Sequence, residues 1–466
     1  MKRLFVSMLV MVLITLAACQ SAPVSGAPGI GDPYYPELGN GGYDVQKYTL
    51  VLDVDPAINA LKATETIDAT ATERLSSFDL DFQGLTIDHL RVNGSEAKNT
   101  RSDHELVITP SKPLASGKSF TIEIQYHGNP EPGELITSMS FPPDLTNLVG
   151  WFHNNDGSIT VINEPNGAAN WFPVNDHPRD KATYHFDIRV PQPWVAIAPG
   201  ALRESTNDDG HTRYVWDMDK PMASYLASIN IDQFVLETAQ GPNGLPLRSY
   251  FPADSSDSIK RRADLLPAMI EYYSSLFGPY PFEEYGVLVV GKAFCQSGGI
   301  AEEVPTMSMF CPDEFVEPLI AHELAHQWFG DSVSLENWQD IWLKEGMATY
   351  AQWLWETKDA GLGELNAMAK RKSSHHYFVP PGKPDAAELY NEDVYQGGAL
   401  VFHALRLKVG DEVFFKILQT YLEQYRDGNA GTDEFIAVAE KVSGQDLKAL
   451  FDTWLYQAEP PDFTGL

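Results

Sequence analysis

The chain has 466 residues, 43% of them hydrophobic, and a formal net charge of −31 from 33 basic and 64 acidic residues. That length exceeds one ordinary domain, so two or three are expected, each able to bury a substantial core. The acidic excess disfavours phosphate backbones and anionic lipid surfaces, and nucleic acid is not an expected partner.

At the N-terminus Lys2 and Arg3 precede an apolar run from Leu4 to Ala18, shorter than the ~20 residues that span a membrane. Residues 1–19 therefore read as a signal peptide. It ends in Leu16-Ala17-Ala18-Cys19, which resembles the lipobox of bacterial lipoproteins. On that resemblance Cys19 carries the lipid, and the protein is exported and held on the extracytoplasmic face of a membrane. An ordinary export signal with a coincidental cysteine is the alternative.

The run QSAPVSGAPGIGDP at 20–33 is small, polar and rich in Gly and Pro, as in a flexible tether, with order expected near Tyr34. From 34 to 236 short alternating runs such as YTLVLDV, FTIEIQYHG and YHFDIRV predict a β domain. The first long helical signal, SIKRRADLLPAMIEYYSSLFG, marks a second domain over 237–466. One strand, YGVLVVGK, and the edge-like GGIAEEVPT follow before the pattern turns helical to the end. Cys295 and Cys311 suit either a disulfide or two buried thiols.

The chemistry gathers in IAHELAHQWFGDSVSLENWQDIWLKEGMATY, residues 320–350. His322 and His326 are four apart, so on a helix both imidazoles leave one face. Ile320, Leu324 and Trp328 support the helix, with Pro318 in its first turn and Gly330 as its stop. Glu323, beside the first histidine, stands where a general base for a zinc-activated water belongs. Glu345, in the next amphipathic segment, completes a His, His, Glu ligand set for one Zn(2+) with a position left open. By contrast, the adjacent His375 and His376 cannot share a helix face, and the tryptophans of WQDIWL and WLWE read as core.

Together these residues resemble the aminopeptidase N family of zinc metallopeptidases, which includes the leukotriene hydrolase. The likeness is ordered along the chain: YDVQKYTLVLDVDP, NEPNGAANWFPVNDHPRDKATY, PMASYLASINIDQF, GGIAEE, the zinc stretch, VYQGGAL and FDTWLYQ. It implies an α+β multidomain fold, with a β-sandwich or saddle domain followed by a thermolysin-like zincin domain. Many relatives carry a further helical domain, whereas this chain ends at Leu466, shortly after WLYQ, which implies a short form.

The family's GAMEN segment, an edge strand that pairs with substrate backbone, matches Gly299 to Glu303, with Glu302 on its acid and Gly298 before it, shaping the first side-chain pocket. The second amine-binding acid matches Glu164. Two carboxylates facing one ammonium imply cleavage one residue from a free N-terminus. The catalytic tyrosine matches Tyr395, although Gln396-Gly397-Gly398 replaces the family's flank. The implied activity is a zinc aminopeptidase acting on peptides with a free amine. Readings kept beside it are a zincin endopeptidase, an epoxide hydrolase side activity and a non-catalytic peptide-binding lipoprotein.

Overall fold

A computed structural model describes residues 22–102, 104–138, 148–297, 300–375 and 377–459, with 461 and 463. Cys19, Gly298 and Gly299 lie outside these residues.

The N-terminal half is built on an eight-stranded sheet. Its central strand, Tyr43–Asp55, pairs antiparallel with Ala60–Ala71 and parallel with Ala182–Pro191. Alternation explains the sheet: Val45, Tyr48, Leu50, Leu52 and Val54 are buried on one face, and an irregularity between Val45 and Lys47 resets the phase. In a smaller four-stranded sheet the central ribbon, Leu75–Asp81 paired with Glu105–Thr109, turns Phe78 and Leu80 into the core and Asp79 and Asp81 to its other face.

Two expectations are corrected. The stretch read as a flexible tether is packed: Val24–Ser25 pairs parallel with the Leu75–Asp81 strand, and Asp32 is buried. Asp32 accepts the backbone N–H groups of Tyr34, Tyr35 and Trp338 and lies 3.0 Å from His177 Nε2. Four fixed partners hold a carboxylate that the composition around it marks as solvated. The domain boundary also shifts. Asn230–Asp232 belongs to an N-terminal sheet, whereas Phe234–Gln240 opens the sheet of the second domain, so the change falls just before residue 234.

That second sheet has the order Phe234–Gln240, Pro246–Pro252, Val287–Val289, Ser308–Phe310, Ala301–Glu302. Ala301–Glu302 is therefore an edge with one side unpaired within the sheet. Helix α1 (Leu266–Phe277) lies between the second and third of these strands, and after the sheet come α2 (Glu317–His326), α3 (Trp342–Thr357), α4 (Leu362–Ser373), α5 (Glu392–Val409), α6 (Asp411–Gln424), α7 (Thr432–Ser443) and α8 (Lys448–Tyr456). Trp338, Trp342 and Trp353 are fully buried, so these aromatics are core as their spacing predicts.

The halves are joined by the NDHPRDKATY segment. Lys181 Nζ donates to the carbonyl oxygens of Asp331 and Ser332 at 3.0 and 2.9 Å, and Arg179 reaches the Glu336 carbonyl. These bonds fix the loop between α2 and α3 against the N-terminal domain.

Candidate active site

Helix α2 starts with Pro318 in its first turn, where a missing N–H is harmless, and ends at His326, with Gly330 at φ +124° just beyond. On its inward face Nε2 of His322 and His326 lie 3.2 Å apart. Glu345 Oε2, from the first turn of α3, lies 3.3 Å from the first and 3.4 Å from the second. Three acceptor-bearing atoms gathered this tightly repel unless a cation sits among them. A tetrahedral zinc with bonds of about 2.0–2.1 Å needs ligand separations of about 3.3–3.4 Å, and the triad matches. His326 Nδ1, 3.0 Å from the Phe329 carbonyl oxygen, donates there, which turns its Nε2 lone pair inward. The residues present fit the metal.

Helices α3 and α5 meet at backbone distance. A Cβ on Gly346 would fall 2.7 Å from the Cα of Gly398, so both positions require glycine. Gly398 of the unfamiliar flank thus has a packing reason. It lets α5 bring Tyr395 to the centre, where its ring stacks near His322 with centroids 6.0 Å apart. Burial, then Glu345, pushes the Tyr395 phenol well above its usual range, so it keeps its proton and can donate.

Glu323 is buried beside the triad. Burial, and after it the charges of Glu303 and Glu345, push its carboxyl up to about 8. On the edge strand, Glu302 is 5% exposed, and both of its carboxylate oxygens are buried without a hydrogen-bond partner. Burial raises its proton affinity strongly, with Glu303 and Glu164 adding to the effect. Gln327, at the C-cap of α2, ties down the loop after this strand by accepting Thr306 N–H at 2.8 Å and donating to the Val304 carbonyl at 3.2 Å. The cysteines form the disulfide Cys295–Cys311, which closes the loop carrying the edge strand and restricts its freedom by about 3 kcal/mol of loop entropy.

Of the residues singled out in the sequence, the structure brings together His322, His326, Glu345, Glu323, Tyr395, Glu302 and Glu164. The state of Glu164 differs from expectation. Instead of standing open opposite Glu302, its Oε1 is 2.6 Å from Lys344 Nζ. Sequence reasoning missed both Lys344 and Glu303, which are in direct ion contact. The available signal was the basic residue immediately before a metal ligand, in a stretch otherwise buried.

Two family models match the chain: the peptidase M1 N-terminal domain over residues 44–226 and the peptidase family M1 domain over 262–454. Human glutamyl aminopeptidase is 28% identical over 376 residues, covering 73% of this chain and 39% of that protein. The glutamyl aminopeptidase of Bitis rhinoceros is 26% identical over 447 residues, covering 88% and 47%. The chain thus spans less than half the length of these relatives. An M1 zinc metallopeptidase from Deinococcus radiodurans, solved as a mutant bound to a Tyr-Ser-Ala substrate, superposes with a TM-score of 0.84 at 29% identity, covering 93% of this chain and 99% of that one. A two-domain M1 zinc metallopeptidase mutant bound to L-arginine gives 0.83 at 28% identity, with coverage of 93% and 99%.

Proposed function

Because the chain belongs to peptidase family M1, we propose that it is a zinc aminopeptidase that releases N-terminal residues from peptides. One observation carries the reading: the donor triad, the buried Glu323 and the unpartnered Glu302 gather at one buried centre.

Zinc, when bound, supplies Lewis acidity towards the scissile carbonyl and acidifies the attacking water. Glu323 takes that water's proton and returns it to the departing amine, a double duty suited to a carboxyl whose proton affinity is raised. Tyr395 donates its phenolic O–H to the oxyanion that develops on the carbonyl. Ala301–Glu302 offers its unpaired edge to the peptide backbone. Glu302 accepts the substrate's α-ammonium, and that contact sets the cut one residue from the terminus.

The test is hydrolysis of an amino-acyl anilide against its N-acetylated form. Cleavage of the free amine alone, abolished by a chelator, is expected. Equal cleavage of both would make the protein an endopeptidase, and cleavage of neither a peptide-binding protein. Tyr395→Phe should lower kcat about a hundredfold with little change in KM, the usual effect of losing one oxyanion donor.

We also propose export and lipid anchoring at Cys19, supported by Lys2, Arg3 and the apolar run that ends there. Cys19→Ala should move the protein from the membrane to the soluble fraction.

A further inference from the structure

The side chain of Lys344 is completely buried. Its Nζ lies 2.6 Å from Glu164 Oε1, in direct contact with Glu303 Oε1, and 3.0 Å from Glu345 Oε1. The same ammonium lies 5.4 Å from the centroid of the Tyr225 ring, on the face of that aromatic. A charge removed from water this thoroughly is tolerated only among compensating groups, and here three carboxylates surround it. The division of labour at Glu345 is specific. Its Oε1 meets Lys344, while its Oε2 faces Nε2 of both histidines.

Glu302 stands in contrast. It ends the edge strand, with Glu303 next in the chain, yet among the described residues neither of its oxygens has a hydrogen-bond partner. A buried carboxylate without partners awaits a donor.

We propose that Lys344 is a positioning residue that locks Glu164, Glu303 and the metal ligand Glu345 into one unit. Its ammonium holds the outer oxygen of Glu345, so that only the inner oxygen is turned to the metal. The same ammonium engages Glu164 and Glu303, which leaves Glu302 as the open acceptor for the substrate's α-ammonium. The ammonium half rests on the aminopeptidase reading; the metal half does not.

Partners that orient a ligating group typically change metal affinity ten- to hundredfold when removed. Lys344→Met keeps most of the stem and deletes the charge. Its zinc dissociation constant, measured by competition with a chromophoric chelator, should rise by that factor. In zinc-saturated protein the KM for an amino-acyl anilide should rise more than kcat falls, because Glu164 and Glu303, no longer held by Lys344, are free to shift against Glu302 and compete for the ammonium. The double variant Lys344→Met/Glu303→Gln removes one charge of each sign, which preserves the net charge of the cleft if the single variant does not fold. It should also lose zinc affinity. Parent-like zinc affinity in a folded variant would overturn the proposal, as would failure of both variants to fold, since Lys344 would then be a stability element. A weakened zinc site in a protein whose parent cleaves no free-amine substrate would retain the metal half and reject the aminopeptidase reading.

Discussion

Two groups of buried acids among the described residues are balanced by different means. In the cleft, Glu164, Glu303 and Glu345 close around Lys344, and Glu345 also faces two histidines fit for zinc. In the N-terminal domain, Asp79, Asp81 and Glu105 share one face of the two central strands of a four-stranded sheet, with Asp81 directly opposite Glu105. Like charges across a ladder repel. The nearest cation there is His104, whose Nε2 lies 3.4 Å from Glu105 Oε1 and 3.0 Å from the Glu37 carbonyl oxygen. Oxygens of all three acids remain unpartnered. At Asp81 a proton therefore does what a lysine does in the cleft. Burial, then Glu105, pushes Asp79 up to about 6 and Asp81 well above its usual range. The difference follows from purpose: acids that bind metal must be charged at neutral pH and need a permanent counter-ion, whereas acids that only pack can be neutral.

Replacing acids by their amides, one at a time, tests this contrast. The largest effect belongs to Glu323→Gln. It should lower kcat by roughly a thousandfold, as expected for loss of a general base, with zinc content and thermal unfolding unchanged. A variant retaining a tenth of the parent rate would assign proton transfer elsewhere. Glu302→Gln comes next. Losing a charge-assisted bond to the ammonium should raise KM about ten- to hundredfold while kcat moves less. Because that carboxylate is buried and unpartnered, its amide should unfold at a temperature no lower than the parent.

The metal triad was legible in the sequence because helical period alone turns His322 and His326 to one face. The large sheet was legible because Val45 to Val54 alternates at period two, apart from the bulge after Val45. Lys344 was not. Its partners Glu303 and Glu164 come from another strand and another domain, and a long flexible stem carries no sign of where its charge will rest. The packing of Val24–Ser25 was hidden likewise, since two small residues pairing in parallel with a distant strand leave no periodic mark. The domain boundary was obscured because SINIDQFVLE runs on as strand while passing from one sheet to the next.

The smallest effect is expected in the ribbon, where it concerns stability and not rate. Asp79 ionises near 3.8 when unfolded and near 6 in the folded protein. Between these values the folded chain keeps a proton that the unfolded chain has lost, so stability falls as pH rises through the window and stays lower above it. A shift of about two units bounds the loss at ~3 kcal/mol. Asp79→Asn has nearly the same shape and no charge to release, so at pH 8 it should be more stable than the parent by about 1–2 kcal/mol. At pH 4 the two should unfold alike, and peptidase rates should match at both, since Asp79 touches nothing in the cleft. Thermal unfolding at the two pH values decides the matter. If the amide is no more stable at pH 8, Asp79 is ionised and compensated in the folded state, and the two acid groups share one solution after all.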